Sequence, residues 1–326
     1  MKKSLMALAV LACTGSAMAQ TNVTLYGRID ASLGATKLNG VSTTQLYSGN
    51  LTNSRWGMRG SEDLGGGLKA IFQLETAFNA DDGTGPGGFS RQSWVGLSGG
   101  FGSVRMGKAD SIYKDIFDLG NTYNISADSQ FNSAVEAYRA GLAAYVARPN
   151  NQIRYDSPSF GGFSAGLTYA LDEDVAGTPK VTAIGARYRA GNLDLGVAHQ
   201  DEDQPLLVND RQHTTVGATY NFGPARLSAQ YQNVKAGDNR KDNEMALGVS
   251  VPLGNLELSA GYSRSKAKNA AGATSGKGAA FALAATYALS KRTRVYGGYL
   301  DGETENAAGV TTRDYRVYAV GIRHDF

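Results

Sequence analysis

The sequence predicts an all-β protein, a 16-stranded antiparallel transmembrane β-barrel, and three observations support this prediction. Segments of about ten residues alternate apolar and polar side chains along most of the chain. The connectors between these segments are alternately short and long. The chain ends on the apolar-faced segment "YRVYAVGIRHDF", which as a free sheet edge would invite aggregation. A closed barrel pairs this last strand with the first and leaves no free edge.

The N-terminal segment "MKKSLMALAVLACTGSAMA" has the three parts of a secretory signal: two lysines, an apolar run and an Ala-Met-Ala cleavage site. We therefore expect residues 1–19 to be a signal peptide and residues 20–326 to form the barrel. An alternative interpretation treats "VLAC" as a lipoprotein cleavage site, with Cys13 as the lipidated residue. Because Cys13 is the only cysteine, cleavage after Ala19 leaves no disulfide or thiolate site.

The charge and hydropathy of the remaining chain limit its class. Cleavage of the signal peptide would remove Lys2 and Lys3, so 30 of the 32 basic side chains would remain, against 29 acidic ones. This near-neutral charge says nothing about a nucleic-acid partner, and none is expected. No later apolar run approaches the roughly 18 residues that a spanning helix needs. A helical membrane protein is excluded, whereas one that crosses the membrane with strands is not.

The first strand illustrates the alternating pattern. In "NVTLYGRIDASLG", Val23, Leu25 and Ile29 fall on one face, while Tyr26 and Arg28 fall on the other. The same pattern recurs along the chain and predicts sixteen strands, at residues 23–34, 45–60, 68–78, 90–98, 104–109, 151–157, 163–170, 181–190, 193–201, 212–222, 225–234, 243–252, 256–265, 278–288, 293–300 and 314–326.

The connectors are of two kinds that alternate along the chain. Short ones are predicted to be turns, at residues 99–102, 190–192, 223–225, 253–255 and 289–292. Long polar ones fall between them, at residues 110–150, 202–211, 266–277 and 301–313. The segment "SEDLGGGLK" lacks the Lys-Ser/Thr step of a phosphate-binding loop and is predicted to be a turn. An even-stranded meander with short connectors at one end is typical of an outer-membrane barrel.

A soluble sandwich or propeller is the structural alternative, because its strands also alternate. The face opposite the apolar one is small and polar, which disfavours a second packed sheet. Aromatic residues recur near strand ends, where membrane-interface girdles lie, at Tyr169, Tyr188, Tyr220, Phe222, Tyr231, Tyr262 and Tyr287.

Several segments closely resemble the trimeric general porins of β-proteobacteria, and the resemblance covers the whole mature chain. These segments are "TLYGRIDASLG", "SRWGMRGSEDLGGGLKAIFQLE", "RQSWVGLSGGFGSVRMGK", "IRYDSPSFGGFSAGLTY" and "GIRHDF". The resemblance implies a homotrimer of barrels in a Gram-negative outer membrane, with the third long loop folded into each lumen and narrowing it. Asp325 departs from the family, whose members often carry a basic residue there. Phe326 ends the closing strand and is expected to act in assembly.

Charged strand residues are candidates for the channel lining. Strand parity predicts that Arg28, Arg55 and Arg59 face the lumen, with Arg105 or Lys108 as a further candidate at a strand end. By resemblance, Arg55 and Lys108 match the basic cluster on the porin wall.

The long connector adds acidic candidates. "KADSIYKDIFDLGN" can form a short helix with Asp115 and Asp118 three residues apart on one face and Asp110 near its start. Resemblance adds Arg148 or Arg154 as the third member of the basic cluster. Carboxylates that face arginines across a water-filled neck would select solutes by size and charge.

These features predict a passive diffusion channel for small hydrophilic solutes and ions. Weak anion selectivity is expected because basic candidates outnumber acidic ones in the neck, and more distant charges are screened. Outer-membrane lipid and further copies of the chain are the expected partners. No cofactor is expected.

Two other functions were weighed against the channel. Catalysis is disfavoured because His199, His213 and His324 are scattered without a recognisable Ser-His-acid order. No His/Asp/Glu group has metal-ligand spacing either. An outer-membrane adhesin or receptor barrel, with long surface loops that bind a partner, is the remaining alternative.

Overall fold

The computed structural model describes residues 22–121, 129–142, 144–172, 179–203 and 210–326. The predicted signal peptide at residues 1–19 and the alternative role of Cys13 lie outside these residues, as do parts of the predicted connectors at 110–150 and 202–211. Within the described residues, no helix has the length and apolar character needed to cross a bilayer.

One closed antiparallel sheet contains all the strands of the described chain. The strands are β1 (Asn22–Leu38), β2 (Val41–Ser48), β3 (Arg55–Gly65), β4 (Leu68–Ala77), β5 (Gln92–Gly99), β6 (Gly102–Lys108), β7 (Gln152–Asp156), β8 (Phe163–Ala170), β9 (Lys180–Ala190), β10 (Leu193–Asp203), β11 (Arg211–Asn221), β12 (Arg226–Ala236), β13 (Lys241–Leu253), β14 (Leu256–Lys268), β15 (Thr274–Ala288), β16 (Thr293–Asn306) and β17 (Thr311–Asp325). Two helices, α1 (Ile112–Asn121) and α2 (Ser133–Ala137), and a 3₁₀ turn (Tyr138–Ala140) complete the described elements.

The predicted 16-stranded barrel is confirmed. The seventeen strands occupy sixteen places in the barrel wall, because β2 and β3 share one place. β1 pairs with β3 through its first half and with β2 through its second half. The predicted continuous strand at 45–60 is wrong, since residues 49–54 leave the ladder. Gly49 has a positive φ of 79° there, and the Thr52 amide donates to Asp30 Oδ2 at 2.9 Å. The hydrogen bond to Asp30 therefore holds this segment on the luminal side of the wall.

The barrel closes through β1 and β17, so the predicted pairing of the last strand with the first is confirmed. The paired segment of β1 is Arg28–Leu38, which extends beyond the predicted end of this strand at residue 34. Gly27 and Phe326 add two backbone hydrogen bonds of 3.0 Å. The strand is longer than predicted because it continues to Leu38 before it turns at Asn39 and Gly40, whose φ values of 49° and 89° suit a two-residue hairpin.

The predicted short turns all lie at one end of the barrel, and the other end holds the longest connectors, at residues 78–91 and 109–151, together with several short turns. The predicted long loops at 266–277 and 301–313 are wrong in length, since β14 to β17 continue through most of them. Only residues 269–273 and 307–310 remain as turns. These segments are polar yet stay in strands because the backbone ladder satisfies their amides beyond the apolar belt.

Alternation along each strand separates a lipid face from a luminal face. On β14, Tyr262 is 47% exposed, whereas the next residue, Ser263, is buried against the loop residue Ser133. Most of the predicted girdle aromatics are exposed on the lipid face, namely Tyr169, Tyr220, Phe222, Tyr231, Tyr262 and Tyr287. The apolar faces therefore point outward, as a bilayer requires.

The described parts of the connector between β6 and β7, residues 109–121, 129–142 and 144–151, lie inside the barrel and are here called the inner loop. Its helix α1 packs against β8 to β13, and α2 packs against β13 to β16. The core sits between this loop and the wall rather than within the sheet, and it includes Ile112, Tyr113, Ile116, Phe117, Ala134, Ala137, Tyr138, Ala183, Ala198, Ala246 and Ala280. The predicted internal third loop is confirmed.

Small wall residues let α1 approach the strands closely. A Cβ on Gly196 would lie 2.6 Å from the Ile116 side chain, and one on Gly217 would lie 2.7 Å from the Ile116 carbonyl oxygen. No side chain fits at either site without displacing the helix. The glycines thus fix how deeply α1 sits against the wall.

Candidate channel lining and constriction

Arg154 on β7 joins the inner loop to the wall. Its side chain is 4% exposed, and Nη2 lies 2.5 Å from Asp115 Oδ2 on α1 and 2.7 Å from Asp156 Oδ1. Nη1 also donates to the Asp110 carbonyl oxygen at 2.7 Å. A guanidinium can make all these bonds because its donors form a rigid planar fork. Asp115 is therefore held against the wall at the start of α1.

Arg105 completes this group from β6. Its Nη2 lies 2.5 Å from Asp156 Oδ2, and its guanidinium carbon lies 5.2 Å from the centroid of the Trp94 ring. Arg105 and Arg154 are direct cross-strand neighbours. Asp156 thus separates two cations that would otherwise repel each other.

Lys108, Asp110 and Arg148 lie together at the base of the inner loop. Arg148 Nε is 2.6 Å from Asp110 Oδ1, and Lys108 Nζ donates to Asn150 Oδ1 at 2.6 Å. Gly107, with a φ of 130°, interrupts the regular pleat just before Lys108, so strand parity does not decide the direction of Lys108. The structure therefore brings together three of the predicted candidates.

Asp118, the remaining acidic candidate, forms an ion pair with Lys114 one helical turn earlier. Lys114 is itself buried in the inner loop. The pair satisfies the i, i+4 spacing of oppositely charged residues on a helix.

A second cluster lies on β1, β3 and β4. Glu75 Oε1 accepts from Arg91 Nε at 2.6 Å. Glu75 Oε2 accepts from the Tyr26 hydroxyl at 3.0 Å and lies 3.7 Å from Arg55 Nε. The Arg59 guanidinium lies over the Tyr26 ring, 5.2 Å from its centroid. Cation–π contact of this kind holds an arginine without neutralising it.

Arg28 sits beside this cluster and near the C-terminus. It is directly opposite Arg55 in the β1–β3 register, and its Nε lies 3.1 Å from Asp325 Oδ1. Asp325 also binds Arg323, at 2.7 Å. Asp325 therefore joins two arginines of the closing strands.

Polar contacts behind the inner loop attach it to the wall. The Tyr113 hydroxyl donates to Gln232, and the Val146 amide donates to Glu202 Oε1 at 2.6 Å. Burial, with Glu244 and Glu202 nearby, raises the pKa of the Tyr113 phenol well above its usual value. Tyr113 therefore stays protonated and remains a donor at any physiological pH.

The far end of the inner loop is attached to the segment that interrupts β2 and β3. The Gln130 amide and the Ser129 hydroxyl both donate to the Asn50 carbonyl oxygen, at 3.0 and 2.7 Å. Phe131 packs beside Leu51 in a second buried cluster. The inward turn at 49–54 therefore serves as a support for the loop.

The order of the strands around the barrel places α1 opposite the cluster on β1, β3 and β4. α1 contacts β11, which lies eight positions along the ring from β3, half of the sixteen. The wall on the β1, β3 and β4 side is therefore opposite the helix. Within the described residues, no group of three or more His, Cys, Asp or Glu is placed to hold a metal ion.

The sequence did not single out Glu75, Arg91 and Asp156. Glu75 and Asp156 contact predicted candidates, and Arg91 contacts Glu75. Glu75 lies two residues after the polar residue Gln73, so both fall on the same face of the strand. This pattern could have predicted that Glu75 faces the lumen. Arg91 and Asp156 lie at strand ends, where parity is weakest.

This architecture defines a class of protein. A closed antiparallel barrel with an apolar outer face, a polar charged lumen and an internal loop is a water-filled channel through an outer membrane.

Comparison with known proteins agrees with this class. A family model described as Gram-negative porin matches residues 5–307. Outer membrane porin protein 32 of Delftia acidovorans is 38% identical, with 99% of this chain and 95% of that protein aligned. Major outer membrane protein P.IB of Neisseria meningitidis serogroup A is 32% identical over the full length of both chains. The solved structure of an anion-selective porin from Comamonas acidovorans matches with a TM-score of 0.81 and 33% identity, covering 94% of this chain and 100% of that one.

The chain belongs to the Gram-negative porin family. It is a passive diffusion channel of the bacterial outer membrane.

Proposed function

We propose that this porin is a weakly anion-selective homotrimeric channel for small hydrophilic solutes and ions, with residues 1–19 removed as a signal peptide. The neck of each channel lies between α1 and the wall formed by β1, β3 and β4. Arg28, Arg55, Arg59, Lys108 and Arg148 are its basic groups, and Asp110, Asp115 and Asp118 are its acidic groups.

The charge balance of these groups supports anion preference. Asp110, Asp115 and Asp118 each have a cationic partner. Arg59 and Lys108, in contrast, have no carboxylate within ion-pair distance among the described residues. An unpaired cation in a narrow polar pore attracts anions and repels cations. The relative from Comamonas acidovorans, itself described as anion-selective, agrees with this direction.

The segments that resemble trimeric porins support the homotrimer. Recording single channels in a planar bilayer tests assembly and selectivity together. A trimer should close in three equal conductance steps. The zero-current potential across a KCl gradient should show a preference for Cl⁻ over K⁺. One closing step, or two, would contradict the trimer.

Arg55→Glu is expected to shift the zero-current potential toward K⁺, because it moves the local balance by two charges. The shift should shrink at high salt, since the Debye length falls from about 10 Å at 0.1 M to about 3 Å at 1 M. Lys180→Glu is a matched control, because Lys180 lies on the outer face over the Tyr169 ring. A wild-type preference for K⁺ at low salt would overturn the selectivity while leaving the channel function intact.

A further inference from the structure

A small pocket lies between α1 and the luminal wall, toward the end of the barrel with the predicted short turns. The helix contributes Ile112, Asp115 and Ile116 to its lining, and β9 contributes Arg187 and Arg189. Its volume is about 140 Å³. This is well below the roughly 300–1,000 Å³ of pockets for drug-sized ligands, so the pocket fits a solute with only a few heavy atoms.

The two arginines on β9 share one carboxylate. Arg187 donates to both oxygens of Asp194, at 2.6 and 2.5 Å, and Arg189 Nε lies 3.1 Å from Asp194 Oδ2. The Arg189 side chain is nevertheless 63% exposed, and its two terminal nitrogens have no partner among the described residues. Arg189 therefore presents free donors in the planar arrangement that binds a carboxylate with two hydrogen bonds.

Asp115 offers a free acceptor from the helix side of the same pocket. Its Oδ2 binds Arg154 Nη2 at 2.5 Å, whereas its Oδ1 has no partner in the part of the chain that the structure describes. The Asp115 side chain is 39% exposed, so a solute can reach the free oxygen. Because an ionised carboxylate accepts hydrogen bonds and donates none, this oxygen suits an ammonium group.

The other charged groups at the pocket already bind one another. Asp156 accepts from Arg154 and Arg105, at 2.7 and 2.5 Å. A simple anion on Arg189 would lie near the free Asp115 oxygen, and a simple cation on Asp115 would lie near Arg189, so either ligand would meet a like charge. A molecule with one ammonium and one carboxylate group satisfies both residues at once.

Ile112 and Ile116 give the pocket an apolar side. They lie one helical turn apart on α1, so they are neighbours on one helix face. A Cβ on Gly185 would lie 2.8 Å from the Ile112 side chain, which shows how closely the helix rests on the wall. A short apolar side chain of a bound solute would be removed from water against these two isoleucines.

We infer that this pocket binds a small zwitterionic amino acid with a short apolar side chain. The ligand ammonium group binds Asp115, its carboxylate binds Arg189, and its side chain contacts Ile112 and Ile116. The inference rests on the diffusion-channel function, because the solute reaches the pocket through the lumen. Binding is expected to be weak and saturable, since a permeating solute must leave a channel as readily as it enters.

The test measures binding of L-valine to the purified, folded porin in detergent by saturation-transfer NMR. L-valine should bind saturably. Isovalerate lacks only the ammonium group of L-valine, and isobutylamine lacks only its carboxylate. Each should bind about tenfold more weakly than L-valine, because each leaves one charged group of the pocket unpaired.

Arg189→Gln should weaken L-valine binding about tenfold and should not weaken isobutylamine binding, because isobutylamine has no carboxylate for Arg189 to bind. Arg139→Gln is the matched control. Arg139 is also an exposed arginine with a single ion pair, from its Nε to Glu136 at 3.0 Å, but it lies outside the pocket. Ser164→Leu should abolish L-valine binding, since Ser164 lines the pocket and leucine fills it without changing the charge.

Equal L-valine binding by wild type and Arg189→Gln would overturn the inference. Isovalerate binding as tight as that of L-valine would also overturn it, because the pocket would then be a site for a simple anion. Planar-bilayer recording of the same proteins keeps these results separate from the proposed function. The three-step closure and the zero-current potential of the wild type test that function whether or not L-valine binds.

Discussion

At the scale of single residues, a few arginines connect the inner loop with the wall. Arg154 contacts a loop carboxylate, a loop carbonyl and a wall carboxylate, and it is almost fully buried. The resemblance offered Arg154 only as an alternative to Arg148, and the partners of Arg154 lie 39 and 44 residues away along the chain. Local patterns carry no information about such pairs.

Arg154→Gln is therefore expected to loosen α1. Removing one partner of a buried ion pair costs about 3 kcal/mol, because a charge is left without compensation. The variant should denature at a lower temperature and show more noise in the open-channel current. Arg187→Gln is the control, since Arg187 pairs with Asp194 on the neighbouring strand, at 2.5 Å. Equal current noise in the two variants would contradict an anchoring role for Arg154.

At the scale of elements, the inner loop and the 49–54 segment depend on each other. The helix of the inner loop was predicted from the sequence, with Asp115 and Asp118 three residues apart on one face. The inward turn at 49–54 was not visible, since its apolar and polar residues also fit a continuous strand. Asp30 and Asn50 supply the hydrogen bonds that make the turn stable.

Deleting residues 112–120 is expected to raise conductance and admit larger sugars, because the neck and not the barrel wall limits flow. Liposome swelling with sugars of increasing size measures the change. Shortening the turn at residues 269–273 is the control, as that turn lies outside the lumen at the end of the β14–β15 hairpin. Unchanged conductance in a folded barrel would mean that α1 does not limit the pore.

At the scale of the whole molecule, the last residue takes part in the pairing that closes the ring. The Phe326 amide and carbonyl both bond to Gly27, and a Cβ on Gly27 would lie 2.4 Å from the Phe326 ring. The terminal aromatic side chain therefore packs where only glycine fits. Closure is the step that removes the last free edge.

Deletion of Phe326 is expected to reduce membrane insertion and the yield of trimer, while synthesis and signal cleavage continue. The heat-modifiable trimer band on a gel measures the yield. Phe222→Ala is the control, because Phe222 is an exposed aromatic residue of a short turn far from the closing strands. An undiminished trimer band in the deletion would show that the terminal residue is dispensable.

The sequence by itself determined the strands, the faces and the fold class. Each strand has lipid on one side and water on the other, so its two-residue period is a local property. Only the tertiary structure decided which charged side chains form ion pairs, which residues of β1 and β17 pair, and that residues 49–54 turn inward. Asp30 reaches Tyr296, and Arg313 reaches Glu136, across most of the chain. Such contacts exist because the ring closes, and closure brings together residues whose local patterns are independent.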